Sequence, residues 1–435
     1  MPSFYRVKDD LLKGRYDSIF SALYSPDTVE RQVKRYLAAL ERFANLYGDE
    51  REVFLFSAPG RTEIGGNHTD HQCGRVLAAA VNLDMIAVVS PNTDHLVRLK
   101  SHGYNMDTVS IDELEFQQTE SGTSASIIRG ILARFKELGH HISGFDAYTT
   151  SDVLKGSGLS SSAAYEVMIG TILNHLYNGG RLGPVEIAKI GKFAENAYFK
   201  KPCGLMDQTA CAMGGFVAID FKDPEKPLIE KIKVDFSKYH HDLFIVDTGD
   251  SHEDLTQEYA QVISEMGEVA RAFGKKVLRE VDFRTFADSI YDFQVVLRQK
   301  LSDRAILRAL HFFGENERVE KQAQALKEGD FERFKTLVIE SGYSSFMRLQ
   351  NVFIGSKPQR QGLSLALAIS EDLLKGRGAW RVHGGGFAGT MQAYVPEDLS
   401  RNYKVVMQQT LGTGCCHVLT IRSQGAMMVL PQELA

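Results

Sequence analysis

The spacing of apolar residues changes character near residue 50. Val29, Val33, Tyr36, Leu37, Leu40 and Ala44 recur at helical spacing after a Ser25-Pro26 start signal and stop at Gly48, which predicts an amphipathic helix. From Glu52 the runs VFLFSAPGR and RVLAAAVNLDMIAVVS read as strands, separated by a polar, Gly-rich stretch from Gly60 to Gly74. A helix around Ile127 to Leu138 and a strand near Phe145 to Thr150 come next. A further helix, with Ala164, Met168, Ile172 and Leu176 on one side, begins near Ser160. The pattern goes on with a helix over Pro184 to Tyr198, a strand after the Gly214-Gly215 pair, and an alternation of Ile232, Val234 and Phe236. DLFIVDT then reads as a buried strand, a long helical region fills Glu253 to Phe346, and GAWRV and MQAYVP read as strands.

A chain of 435 residues exceeds what one hydrophobic core usually serves, so two domains are expected. The charged, proline-containing segment KDPEKP, residues 222–227, marks either their boundary or an ordinary hairpin loop. With 43% hydrophobic and 24% charged residues the composition is that of a soluble globular protein. Fifty Lys plus Arg against 55 Asp plus Glu leave a net charge of -5, which provides no general field for nucleic acid or anionic lipid. No 18-residue uncharged apolar run occurs, and the start MPSFYRVKDD lacks the apolar core of a secretory signal. The five cysteines have no paired-ligand spacing, so neither a disulfide framework nor a zinc site is expected, and a cytoplasmic location is.

Three glycine-rich elements carry the candidate chemistry. In Gly156-Ser157-Gly158-Leu159-Ser160-Ser161-Ser162-Ala163 the glycines allow close approach of backbone N–H groups, the serines add donors, and the helix behind points its positive end at the same spot. A phosphate chain fits there; the alternative is a Ser/Gly linker that caps a helix. The element is neither a Walker A loop nor a dinucleotide fingerprint. The second, Ala58 to Gly74, crowds Arg61, Glu63, Asn67, His68, Asp70 and His71 into one loop, suited to a polyhydroxylated ligand and, through Arg61, to a phosphoryl oxygen. Its histidines match no recognised zinc pattern, and for each on its own a surface or capping role is commoner than ligation. The third, His383 to Gly389, contains three consecutive glycines between two strands and reads as a close backbone approach or a simple hairpin turn.

In this order and separation the three elements resemble the GHMP small-molecule kinases, and within them the galactokinases, over residues 55–430. Gly60, Arg61, Gly66, His68, Thr69 and Asp70 match the signature G-R-V-N-L-I-G-E-H-T-D-Y; Pro202 to Gln208, PCGLMDQ, is similar to C-G-I-M-D-Q; and Ala194-Glu195-Asn196 matches A-E-N/H. The resemblance implies an α+β, two-domain fold: an N-terminal βαβ-type nucleotide-binding domain over 1–224, a C-terminal α+β domain over 225–435, and the active site between them. It implies ATP-dependent phosphorylation of the 1-hydroxyl of galactose, with Gly156 to Ala163 around the ATP phosphates and Ser162 and Glu195 holding Mg2+. Arg61 and Asp207 become the catalytic pair, and Asn67, His68, Asp70, Gly204, Asp207 and Tyr259 the sugar site. An arginine beside Asp207 favours its ionised form, so Asp207 acts either as a base or as an orienting group.

The departures point to a divergent branch. Asn67 stands where the family has a Glu near the sugar 6-hydroxyl, Glu63 replaces an Asn and Gly65 an Ile. Ser124 to Gly130, SASIIRG, lacks both aromatics of the W-x-N-Y-x-K-G pattern, so adenine stacking must differ or nucleotide preference shift. Ala260, Gln261 and Val262 replace arginines after Tyr259. Two other readings therefore stand beside galactose: an amino sugar or uronic acid derivative as acceptor, and a catalytically silent sugar sensor.

Overall fold

Ser3 starts the first helix by accepting from the Arg6 amide, and Phe4, Val7 and Leu11 turn inward behind it. The computed structural model describes residues 2–154, 158–249, 255–291 and 300–431. Helices α1 (Phe4–Leu12), α2 (Asp17–Leu23) and α3 (Val29–Tyr47) form one layer. The helix expected after Ser25-Pro26 is α3, entered through a short 3-10 turn over Pro26–Thr28 and ended by Gly48. Tyr36, Leu40 and Phe43 from α3 cluster with Phe20, Leu55, Ile86, Val88 and Tyr148, so the layer covers one face of a sheet.

The strands of that sheet are β1 (Phe54–Gly65), β2 (Arg75–Pro91), β3 (Leu96–Ser101), β4 (Met106–Ser110), β5 (Phe145–Ser151), β6 (Phe216–Asp220), β7 (Leu228–Ile232) and β12 (Met427–Val429). Among the described residues they run in the order β12-β1-β2-β5-β3-β4, with β6 and β7 continuing from β2. Strand β2 serves two neighbours because it holds two buried apolar stretches: Arg75 to Ala79 pairs with β6, and Met85 to Pro91 with β5. Helices α4 (Ser124–Glu137), α5 (Ser161–Tyr177), α6 (Pro184–Ala194) and α7 (Met206–Met213) bury their apolar sides in the main core with Phe56, Val76 and Ala87 of the sheet.

Residues 222–227 form the turn between β6 and β7, which pair antiparallel from Phe216 with Ile232 to Asp220 with Leu228. The expected division at 224/225 thus falls inside a hairpin. The first sheet extends to Ile232 and takes back β12 from the far end of the chain. A second sheet, in the order β11-β8-β10-β9, comprises β8 (His241–Asp247), β9 (Ala379–Val382), β10 (Thr390–Pro396) and β11 (Cys416–Leu419). The remaining helices are α8 (Thr256–Ala272), α9 (Phe283–Tyr291), α10 (Asp303–Glu328), α11 (Phe331–Ser344), α12 (Gly362–Leu374) and α13 (Glu397–Leu411), of which α11, α12 and α13 pack against the second sheet and α10 against the first. Leu243, Ile245, Phe334 and Tyr394 share one core with Val217 and Ile219, so no apolar gap separates the two halves.

Candidate functional site

The register of β1 against β2 shifts between Pro59 and Arg61, an irregularity of the kind that re-aims a side chain. Arg61 resumes the pairing, opposite Ala80, and is 8% exposed. Its Nε donates to Asp207 Oδ1 at 2.7 Å and its Nη2 to Asp207 Oδ2 at 2.6 Å, a two-pronged pair, while Nη1 donates to the Gly158 carbonyl. The Arg61 amide donates to Leu159 O at 3.0 Å, so β1 and the serine-rich loop are tied by backbone as well. Burial works to raise the Asp207 pKa, but the Arg61 charge and the bonds from Arg61 and Ser160 outweigh it and hold the carboxyl below the usual carboxylate range. Asp207 is ionised at neutral pH.

Ser160 caps α5 in the left-handed region at φ 58°, ψ 62°, and its side chain makes no cap bond to the helix. Its Oγ donates instead to Asp207 Oδ2 at 2.7 Å. The first N–H groups of α5 are left for a ligand, at the end of the helix where the dipole favours an anion. Ser161 and Ser162 then line a cavity of about 660 Å3 with Glu166, Glu195 and Lys201, and on its other walls Tyr104, Ser124, Tyr165 and Phe199. Gly158, Leu159, Ser160, Ser161, Ser162 and Ala163 all lie at this turn, whereas Gly156 and Ser157 fall outside the described residues. The aromatic walls come from Tyr104, Tyr165 and Phe199, none of them in the SASIIRG segment of α4.

Glu195 follows α6 in a π-helical turn over Glu195–Phe199, which carries it to the cavity. Gln208 Nε2 donates to Glu195 Oε2 at 3.0 Å and to Glu166 Oε2 at 2.8 Å, and Lys201 Nζ pairs with Glu195 Oε1 at 3.0 Å. Burial, then the charge of Glu195, push Glu166 well above the carboxylate range. Its buried Oε1 finds no hydrogen-bond partner among the described residues. The carboxyl groups of Glu195 and Glu166 and the Ser162 hydroxyl, all hard oxygen donors with one oxygen unsatisfied, suit a divalent cation that keeps several waters. Among the described residues no group of three or more His, Cys, Asp or Glu is placed to hold a metal.

The loop between β1 and β2 folds back on itself, with the single Thr69 hydroxyl hydrogen shared between Gly66 O at 2.9 Å and Arg75 O at 2.6 Å. His68, at φ 55°, donates from Nε2 to Gly385 O at 2.8 Å and stacks on Tyr259 with ring centroids 6.0 Å apart. A Cβ on Gly385 would overlap the Tyr259 ring, so the third glycine element lies flat under these two side chains. Gly204 comes close to Asp70: a Cβ there would lie 2.6 Å from Asp70 Oδ2. Burial raises the Asp70 pKa, against the His68 charge, and Asp207 is near enough to raise it further. Burial also pushes the Tyr259 hydroxyl up to about 12. His68, Asp70, Gly204, Asp207 and Tyr259 therefore belong to one neighbourhood.

Asn67 does not face it. Both hydrogens of its amide are spent on protein acceptors, and its 1% exposure leaves no surface for a sugar. Equivalence of position with a sugar-binding Glu implied a contact that the side chain, turned into the interior, does not offer. Residues the motifs did not single out are Ser160 as a partner of Asp207, Glu166, Lys201 and the glycine carbonyls at 384 and 385. Glu166 was within reach of pattern reasoning, since it lies four residues after Ser162 on the same side of α5. The glycine carbonyls were not, because their partners lie more than 300 residues away in the chain.

The chain matches two family models, that of the GHMP kinases N terminal domain over residues 126–215 and that of the galactokinase galactose-binding signature over residues 41–91. A galactokinase of Streptomyces coelicolor is 32% identical over 355 residues, which are 80% of this chain and 86% of that one. A galactokinase of Lactobacillus helveticus is 30% identical over 363 residues, 82% and 89% of the respective chains. The fold is shared with the crystal structure of Lactococcus lactis galactokinase complexed with galactose, at a TM-score of 0.75 and 23% identity, covering 91% of this chain and all of that one. It is also shared with a mevalonate kinase structure, at a TM-score of 0.60 and 14% identity over 84% of this chain and 98% of that one.

Proposed function

From the premise that this chain belongs to the galactokinase family of GHMP kinases, we propose that it transfers the terminal phosphoryl group of ATP to the 1-hydroxyl of galactose. The observation that carries this reading is the Arg61–Asp207 pair with Ser160 donating to the same carboxylate. One carboxylate thereby connects the sugar neighbourhood to the turn that opens α5.

Phosphoryl transfer passes through a loose transition state, so catalysis rests on alignment and on neutralising charge. The N-terminus of α5 and the backbone of the serine-rich turn receive the phosphates, and Arg61 offsets charge on the moving group. The base stacks among Tyr104, Tyr165 and Phe199. Ser162, Glu195 and Glu166 would hold Mg2+, which when bound would neutralise negative charge on the phosphates. Asp207, ionised and held by three hydrogen bonds, orients the acceptor hydroxyl and takes its proton late, because the depressed pKa makes it a weak base. His68, Asp70, Gly204 and Tyr259 align the rest of the sugar. A cytoplasmic location belongs to the same reading, in keeping with the absence, among the described residues, of any helix long and apolar enough to cross a membrane.

The test is ADP release from Mg-ATP with galactose, glucose, galactosamine, N-acetylgalactosamine and galacturonate, repeated with Asp207→Asn. Release with galactose and a loss of about a hundredfold or more in kcat for the variant are expected. Turnover with glucose alone, or an unimpaired variant, overturns the reading; preference for an amino sugar or galacturonate moves the acceptor and keeps the site.

A further inference from the structure

Asn67 occupies the middle of the acceptor loop and is committed in every direction. Its Nδ2 donates to Glu63 Oε1 at 3.0 Å and to Gly384 O at 2.5 Å, its Oδ1 accepts from Asn351 Nδ2 at 2.7 Å, and its backbone carbonyl accepts from His311 Nε2 at 2.9 Å. Glu63 is equally enclosed, 6% exposed, and the same Oε1 accepts from Arg381 Nη2 at 2.6 Å. Arg381 is fully buried and its Nη1 donates to Ile64 O at 2.5 Å. One buried negative charge and one buried positive charge therefore sit side by side, and the Asn67 amide and the Arg381 guanidinium converge on the same carboxylate oxygen.

The chemistry of this arrangement demands a donor at position 67. Gly384 O and Glu63 Oε1 are both acceptors, and only an amide can serve the two of them while accepting from Asn351. A carboxylate at 67 would meet an acceptor on each side and add another buried negative charge beside Glu63, where Glu315 already draws on the Arg381 charge. The signature that the loop otherwise matches carries Asn and Glu in the opposite order, so acid and amide have changed places along β1 and its loop. The negative charge has moved to the strand, against Arg381, and the amide has moved to the loop, against the glycine run.

Building on the galactokinase reading, we propose that Asn67 is a positioning residue. The series Arg381, Glu63, Asn67, Gly384 latches the acceptor loop onto the glycine run, so that His68 on Gly385 O and Asp70 beside Gly204 are presented at fixed spacing, and Asn67 makes no bond to the sugar. Acceptor selection at the far end of the sugar then depends on other side chains.

Four variants test this: Asn67→Asp, Glu63→Gln, the two combined, and Asn351→Ala. Asn67→Asp should raise KM for galactose about tenfold, leave KM for ATP within about twofold, and lower kcat by no more than about threefold. The combined variant restores one carboxylate to one arginine, so its losses in KM and in melting temperature should be smaller than the sum of the single losses. Asn351→Ala, which removes a partner of Asn67 without adding charge, should raise KM for galactose in the same direction. The ratio of kcat/KM for galactose to that for 6-deoxygalactose should stay within about twofold in Asn67→Asp. A ratio that shifts strongly, or strictly additive single and double losses, would show a direct sugar contact or no latch and overturn the proposal. Coupling in melting temperature is read without sugar. If the unsubstituted protein releases no ADP with galactose, the functional reading fails and the latch stands or falls on that coupling alone.

Discussion

Burial lowers the His311 imidazole to about 4, against the raising effect of Glu315 and of its bond to the Asn67 carbonyl, and lowers His71 to about 3. Both are neutral in the folded chain at pH 7. Below the ordinary histidine value the unfolded chain binds a proton that the folded chain refuses, so stability falls as the pH drops from 6.5 towards 4, and the loss from His311 levels off below that. The contribution of His311 over this window is on the order of 3 kcal/mol. Asp207 has the same sign in a more acidic window: its depressed pKa adds stability that is present above the ordinary carboxylate value and is lost as the pH falls through the folded one. We expect the melting temperature to decline between pH 6.5 and 4.5 and the slope to flatten in His311→Gln, as measured by thermal denaturation across pH. A slope unchanged in the variant would remove His311 from the account. None of this was legible in the sequence, where His311 is one polar position in a long helical run; its burial exists only because α10 packs behind the acceptor loop.

At the scale of elements, the start of α5 combines two functions that conflict locally. A cap serine normally returns its hydroxyl to the helix, which Ser160 does not do. The left-handed backbone at φ 58° sends the hydroxyl to Asp207 instead, at a cost of about 1–2 kcal/mol for a residue with a Cβ. Ser160→Gly should therefore melt higher than Ser160→Ala by about 1 kcal/mol, while both lose the bond to Asp207 and show similarly reduced kcat. Equal melting temperatures would contradict the strain. The helix and its first residue were legible from the period of Ala164, Met168, Ile172 and Leu176. The strained cap was not, because it is imposed by a carboxylate on α7. In the same way the helix expected over Pro184 to Tyr198 is real but finishes as a π-helical turn from Glu195, the local widening that brings Glu195 and Lys201 to one cavity.

For the molecule as a whole, Asp84 is the junction. It is fully buried on β2, paired with Arg35 of α3 at 2.6 Å and with Arg422 near the end of the chain at 3.2 Å, and it accepts from Tyr24 at 2.6 Å and from Ser57. Burial raises its pKa, and the two arginines reverse that and hold it low. Asp84→Asn would leave the buried Arg422 guanidinium without this counter-ion and Arg35 with only Asp152 at 3.5 Å, and should destabilise the fold by about 3–5 kcal/mol, read as a lowered denaturant midpoint. The first fifty residues carry no chemical motif, and the reason for them appears only here: α1 to α3 cover an apolar face of the first sheet and are anchored through Arg35 to the strand that leads away from the acceptor loop.

What the sequence determined by itself is local: the periods that make helices and strands, the glycines and serines that suit a phosphate, and the ordered motifs that identify the family. These depend on neighbours within a few residues, which any reader of the chain can see. The tertiary structure alone decided which polar groups meet across hundreds of residues. It turned Asn67 inward to Asn351 and Gly384, gave Arg381 to Glu63, and continued the first sheet past residue 224. The physical reason is that a buried polar atom must find a partner wherever the packed elements bring one, and sequence position does not say where that is.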